Sequence, residues 1–236
     1  MNFNRNLNNL KKFKTSLKNN KKKEIREISS LIKWRQKLQN KIKTQSKLIN
    51  INDVEDWFFD KNKNLYHKSR QFFKVKGVVT KAAKGREVSS WTQPILTQKH
   101  GGVLAFIARE TKEFGIQFLV EAKVEPGDDS QIKISPSFQA TQSNMNRAHG
   151  GRRPNFFDIV IKNKGSDLIY YTIHNEEGAR FWKKSNWNVI VKLKNPYDKR
   201  IKGEKYKWAS LTQIKKIALK DRIVNPFVKT ILFMLF

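Results

Sequence analysis

The densest group of chemically able side chains lies between Trp91 and Gly151. Glu125 opens the turn Glu125-Pro126-Gly127-Asp128, and Gln139, Gln142 and Asn144 alternate around Thr141 and Ser143. Trp91 and Gln93 stand upstream, and Arg147 and His149 downstream. A second group follows: Glu176, Glu177, Arg180 and Asn186. A carboxylate or an imidazole can exchange a proton with a bound molecule. Amides and carboxylates take sugar hydroxyls, an aromatic face stacks on a base, and a guanidinium fork meets a diphosphate. The combination suits a sugar-nucleotide pocket. Plainer roles exist for each. Gln139 and Asn144 can satisfy loop backbone, Glu177 can sit in the first turn of a helix, and Arg180 can pair with Glu176 four residues earlier. Gly150-Gly151 with Arg152-Arg153 could hold phosphate, although such pairs are also common in solvated loops.

Other chemistries are excluded. The chain lacks a G-x-S-x-G elbow, a phosphate-binding G-x-x-x-x-G-K-[ST] loop, a G-x-G-x-x-G turn and an H-E-x-x-H helix. The histidines, His67, His100, His149 and His174, have no metal-ligand spacing, so no metal is expected. There is no cysteine, which removes disulfides and thiolate chemistry and fits a reducing cytoplasm.

The elements that must position these groups can be read from periodicity. Phe73–Val79, Val103–Arg109 and Gln117–Val124 alternate or run apolar as strands, with Gly115 turning the last two. Val88–Thr97 is extended, with Pro94 confining it to an edge or a bulge. Ile132–Thr141 is extended and interrupted by Pro136. Phe156–Lys162, Leu168–His174 and Asn188–Lys194 read as further strands. Helices are expected at Lys21–Ile42, from Asn52 as N-cap, at Glu176–Lys183 behind Asn175, at Leu211–Leu219 and at Arg222–Leu235. Gly85-Arg86 marks a turn. The sum is an α+β domain, residues 51–236, built on an antiparallel sheet with a few helices. It is preceded by a basic extension, residues 1–50, whose first 20 residues show little periodicity and read as disordered or loosely helical.

The net charge of +29 raises the question of nucleic acid. Of the 49 basic residues 37 are Lys, and Asn is abundant, which points to codon bias in an AT-rich genome. No zinc-finger or RNA-recognition signature accompanies the charge, so a nucleic-acid partner is not expected. The first 50 residues hold 15 Lys and Arg against 2 acidic residues. They contain no apolar leader, and no run approaches the ~20 apolar residues of a membrane span.

Taken in order, HKSRQFFKVKGV, REVSSWTQPIL, GVLAFIARE, FLVEAKVEPGD, SPSFQATQSN, HNEEGARFWKKSNWNVIV, YKWASLTQIKKI and DRIVNPFVKTIL resemble the NDP-hexose 2,3-dehydratases of deoxysugar biosynthesis. The resemblance covers about residues 51–235. It implies a Nudix-like mixed sheet with flanking helices, without the Nudix hydrolase box. It also implies a carbon–oxygen lyase that takes a dTDP-4-keto-6-deoxyhexose with no cofactor. Family members carry two copies of this domain, so a homodimer is the expected substitute; the alternative is a non-catalytic or half-length subunit that works with a partner chain. Under the resemblance, Glu125, Glu177 and His67 are candidate bases and His149 a candidate acid. Trp91, Gln93, Gln139, Asn144, Arg147, Arg180 and Asn186 are candidate binding residues. The chain departs from the family pattern at Asp128, Ser137 and Asn175, and most at Phe227 and Lys229, where the pattern has an acidic residue and an arginine.

Overall fold

A computed structural model of the chain describes residues 3–41, 44–81, 85, 87–98, 101–128 and 131–235. The elements, in chain order, begin with helices α1 (Phe3–Asn19) and α2 (Ser29–Lys41). Strands β1 (Trp57–Phe59), β2 (Leu65–His67), β3 (Lys74–Lys81), β4 (Ser90–Thr97), β5 (Gly102–Thr111), β6 (Gly115–Lys123), β7 (Lys133–Pro136) and β8 (Phe138–Thr141) follow. Then come the short helices α3 (Gln142–Met145) and α4 (Phe157–Val160), and strands β9 (Ser166–Asn175), β10 (Phe181–Trp182), β11 (Ser185–Leu193) and β12 (Tyr206–Ser210). Helices α5 (Leu211–Ala218) and α6 (Pro226–Phe233) close the chain.

The architecture is α+β, with two sheets. One has the order β1-β2-β3-β4-β10, and the other has β12-β6-β5-β11-β9 with β7 and β8 added. Both are mixed, correcting the expectation of an antiparallel sheet: β11 runs parallel to β5, and β10 parallel to β4.

The larger sheet is forked. β6 pairs with β5 only over Gly115–Phe118, where Gly115 turns the chain at φ +64°. Beyond that the two strands diverge, and the extended run 133–141 fills the gap. Its first half, β7, pairs with β6, and its second half, β8, pairs with β5. Ser137 sits at the crossing. Its buried hydroxyl accepts from the Ile107 amide at 2.8 Å and donates to the Ala105 carbonyl at 3.2 Å, so backbone groups that the fork leaves without a ladder partner are satisfied.

Each face of this sheet has its own apolar cluster. Phe106, Phe118, Ile190 and Ile134 meet Ile214, Ile217, Val228 and Ile231 of α5 and α6 on one side. Ala105, Ile107, Phe138 and Val191 meet Ile159 and Val160 of α4 on the other. The N-terminal helices join the first cluster through Leu10, Phe13 and Leu31. Asn6 clasps the backbone of Tyr171, donating to its carbonyl at 2.9 Å and accepting from its amide at 3.1 Å, and so covers part of the outer edge of β9.

Several local expectations change. Residues 3–19 form a regular helix, because contact with the sheet supplies the apolar partner that a lysine-rich sequence conceals. The helix expected at 21–42 is a 3₁₀ turn at Lys21–Lys23, an extended stretch and then α2; Ile42 lies outside the described residues, as do Arg86 and His100. The first cap of the body is Asn50, whose side chain accepts from the Asn52 amide ahead of a 3₁₀ turn at Ile51–Asp53. Residues 156–162 hold α4 and not a strand. No helix forms at 176–183: the chain turns at Gly178–Arg180 and enters β10. Pro94 lies opposite Gly77 of β3, where β10 does not reach, so its missing donor breaks no ladder bond. Among the described residues no helix is long and apolar enough to cross a membrane.

Candidate active site

The alternation of β6 sets the floor of a polar cleft. Glu121 and Lys123 share one face of the strand, and Glu125 follows two residues on. Across the sheet, Glu121 is flanked by Ser135 of β7 and Tyr206 of β12. The lining also takes Gln139, Asn144, His149, Arg152, Asn155 and Lys205, around a volume of about 220 Å³.

Two connected networks occupy this cleft. In the first, Glu125 accepts from Lys123 Nζ at 2.7 Å and from Gln139 Nε2 at 3.1 Å. The backbone amide of Glu125 is held by Asp128 Oδ2 at 3.1 Å, and the Asp128 amide returns to the Glu125 carbonyl at 2.9 Å, which fixes the Pro-Gly turn. The Gln139 amide spends its nitrogen on Glu125, while its carbonyl oxygen is buried and has no partner among the described residues. A buried acceptor left open costs about 1–3 kcal/mol.

In the second network, Lys205 Nζ reaches Glu121 Oε1 at 2.5 Å, and Tyr206 Oη accepts from Asn155 Nδ2 at 2.9 Å. Burial pushes the Tyr206 phenol above its ordinary pKa, the Glu121 charge adds to this, and the Asn155 hydrogen bond opposes it. Burial pulls the Lys205 ammonium down, but the hydrogen bond and charge of Glu121 outweigh it and hold the group above its ordinary value. The cleft therefore contains a carboxylate held by a cation, a phenol kept protonated and two ammonium groups.

Of the residues expected from sequence, Gln139, Asn144 and His149 line this cleft, and Glu125 stands at its margin, tied to it through Lys123 and Gln139. Asn144 lies in α3, its backbone amide donating to the side chain of the N-cap, Thr141 Oγ1, at 3.3 Å. His149 is exposed, and its Nδ1 accepts from the Gly151 amide at 2.9 Å. Arg147 is exposed on a left-handed turn residue, φ +59°, and is not among the residues lining the cleft.

The others stand apart. Asn186 is buried where β11 meets β5: its Oδ1 accepts from the Gly102 amide at 2.7 Å, and its Nδ2 donates to Glu176. Lys184, 4.0 Å from Glu176, has a pKa lowered by burial and partly restored by that carboxylate. This junction explains two glycines: a Cβ on Gly101 would stand 1.7 Å from the Ser185 carbonyl oxygen, and one on Gly102 2.7 Å from that of Ala140. Arg180 pairs with Glu177 at 3.2 Å rather than with Glu176, because the segment is a turn and not a helix; both side chains are largely exposed. Trp91 donates to Gln93 Oε1 at 3.0 Å, and Gln93 donates to the Ala179 carbonyl at 2.5 Å, tying β4 to that turn. His67 lies on the smaller sheet between the rings of Trp57 and Phe72, with Nδ1 2.8 Å from Ser69 Oγ.

Glu121, Lys123, Lys205, Tyr206 and Asn155 were not foreseen. Counting back from Glu125 by twos along β6 would have found the first two. Lys205 and Tyr206 carry no local signal, since they arrive only through the pairing of β12 with β6, more than eighty residues apart in sequence. Among the described residues no cluster of histidine and acidic side chains could hold a metal ion.

Comparison with known proteins bears on this site. The family model for NDP-hexose 2,3-dehydratase matches residues 28–235. A dTDP-4-dehydro-6-deoxy-alpha-D-glucopyranose 2,3-dehydratase from Amycolatopsis orientalis is 30% identical over 185 residues, covering 76% of this chain and 38% of its own. Proteins of the same name from Saccharopolyspora spinosa and Streptomyces violaceoruber are 30% and 26% identical, covering 76% and 89% of this chain and 36% and 46% of theirs. The chain thus spans less than half the length of these relatives. A solved structure, the crystal structure of ADP compounds hydrolase, aligns over 69% of this chain and 84% of its own at 10% identity and TM-score 0.42, too distant to assign the fold. With a family match spanning nearly all of the folded body and both terminal helices of its core, the chain belongs to the NDP-hexose 2,3-dehydratase family.

Proposed function

We propose that this domain binds a dTDP-4-keto-6-deoxyhexose in the Glu125–Tyr206 cleft and removes water across carbons 2 and 3, giving a 3,4-diketo-2,6-dideoxy sugar nucleotide. Its relatives carry the name of that activity. The observation that carries the reading is the buried, unpartnered Gln139 oxygen beside an ion-paired Glu125, an acceptor waiting for a hydroxyl next to a base.

The carbonyl at carbon 4 acidifies the proton on carbon 3. Glu125, ion-paired with Lys123 at 2.7 Å, takes that proton, and the electron pair moves onto the carbon-4 oxygen as an enolate. The ammonium groups of Lys123 and Lys205 offer positive charge to that oxygen. When the enolate collapses, the carbon-2 hydroxyl leaves as water with a proton from Tyr206, whose raised pKa keeps it protonated; His149 is the second donor within the cleft. The resulting enol takes a proton at carbon 2 and becomes the diketone. No electron leaves the sugar, so no redox cofactor is needed. His67 and Glu177 have no part in these steps.

On this reading the forked sheet with its inserted strand is a Nudix-like core, residues 51–236 are the dehydratase domain, and residues 1–50 are an extension that packs on it. The enzyme works in the cytoplasm as a homodimer, without nucleic acid. Sedimentation reporting a monomer at every working concentration would remove the dimer. Single replacements Glu125→Gln, Tyr206→Phe and His149→Asn, followed by substrate loss, test the roles; a residue whose replacement leaves turnover unchanged drops out.

A further inference from the structure

The polar cleft has room for only the sugar part of the proposed substrate. A volume of about 220 Å³ fits a hexose, whereas sites for ligands the size of a sugar nucleotide run from roughly 300 to 1,000 Å³. A second hollow, of about 370 Å³, adjoins it. The two share Pro154 and Asn155 in their walls, and Asn155 is the residue that donates to Tyr206 in the cleft.

The second hollow differs in chemistry. Its cations are Arg153, Arg200 and Lys202, and its apolar walls are the rings of Phe156 and Phe157. Arg200 is engaged by Asp198 and by the Lys164 carbonyl at 2.7 Å. Arg153 lies over the Phe157 ring at 5.0 Å, and Lys202 is exposed; neither has a carboxylate partner among the described residues. The one acid in the wall, Asp158, is drawn to Lys162 at 3.4 Å. Phe156 holds φ +64°, a conformation that a bulky side chain rarely adopts, and its ring packs on Tyr206 at 4.7 Å. Another hollow that touches Phe157, of about 440 Å³ around Val103, Met145 and Trp187, is lined by no charged side chain and so has no cation for a phosphate.

We propose that this hollow, the second compartment of the site proposed above, holds the nucleoside diphosphate. The phosphates lie on Arg153 and Lys202, and the pyrimidine lies against Phe156. The sugar then extends past Asn155 into the cleft, with its reacting carbons toward Tyr206 and Glu125. This assignment rests on the dehydratase reading for its choice of ligand but can fail separately from it.

The test is calorimetric titration of the full chain with dTDP and, separately, with thymidine. Both replaced cations are at the surface, so the double variant Arg153→Gln/Lys202→Gln should fold. It should bind dTDP at least ~10-fold more weakly while its affinity for thymidine is unchanged, since each lost contact is a charge-assisted hydrogen bond. Arg153→Lys/Lys202→Arg should recover most of the loss. Phe156→Leu should weaken both ligands. A double variant that binds dTDP as the wild type does, or a wild type that binds no dTDP, overturns the assignment. Wild type that loses dTDP on the double replacement but never dehydrates the 4-keto sugar leaves this site standing and removes the enzyme reading. Normal turnover with an unchanged KM in the double variant does the opposite.

Discussion

The side-chain amide of Gln139 donates to Glu125 Oε1 at 3.1 Å, joining the inserted strand of the forked sheet to the turn that follows β6. The same amide holds a buried oxygen without a partner among the described residues, so in the proposed mechanism one residue both orients the carboxylate and receives a substrate hydroxyl. Gln139→Leu should remove both functions without changing the side chain's length greatly. We expect kcat/KM to fall by roughly 10²-fold, and steady-state kinetics would show whether the loss lies in kcat, KM or both. A variant with wild-type kinetics would show that this oxygen meets no substrate.

Ser137 is the keystone of the fork. Its hydroxyl serves the Ile107 amide and the Ala105 carbonyl, both inside the sheet. Ser137→Ala leaves a buried donor unmet and should lower stability by about 1–3 kcal/mol, seen as an earlier urea midpoint with an unchanged slope. Ser137→Thr, which keeps the hydroxyl, should lose less.

Glu24, between α1 and α2, caps the helix α5. Its carboxylate accepts from the Thr212 amide at 3.0 Å and from Thr212 Oγ1 at 2.7 Å. Glu24→Ala should cost about 1–2 kcal/mol by the measure of other lost helix caps. Chemical denaturation followed by far-UV circular dichroism checks it. No loss would mean that Glu24 adds nothing to the stability of α5.

Asp198 gives the acid limb of stability a specific group. The Arg200 side chain hydrogen-bonds its carboxyl, burial opposes, and the Arg200 backbone amide adds to the side chain, so the pKa lies below the ordinary carboxylate value. A depressed folded pKa means that the stabilisation is present above the unfolded pKa of about 3.9 and is lost as pH falls through the lower folded value. Asp198→Asn should therefore lower the melting temperature at pH 7 and flatten its decline below pH ~4. An unaltered acid limb would contradict the assignment.

Much of the scaffold was legible and part of the site was not. The apolar run of β5, the alternation of β6 and the Ser210 cap of α5 are local signals, and the structure places each element there. Glu125, Gln139, Asn144 and His149 were found because a turn and one strand keep them close in sequence. Lys205 and Tyr206 were missed because only the β12–β6 pairing, a tertiary event, brings them to Glu121. The helix expected at 176–183 failed for a related reason. Its acidic start mimics a capped helix, but Glu176 is consumed by Asn186, and Phe181 and Trp182 pair with β4. The helix at 3–19 was hidden by lysines whose apolar neighbours, Leu10 and Phe13, are too few to announce it.

The central claim is that this domain moves a proton off carbon 3 and expels the hydroxyl of carbon 2. Incubating the wild-type chain with dTDP-4-keto-6-deoxyglucose in deuterated water, and reading the product by mass and proton spectra, tests it directly. The account predicts a product lighter by one water, with the carbon-3 proton gone and a single solvent deuteron at carbon 2, and it predicts that Glu125→Gln abolishes this change. Folded wild-type protein that returns the sugar unchanged, or exchanges the carbon-3 proton without losing water, would contradict it.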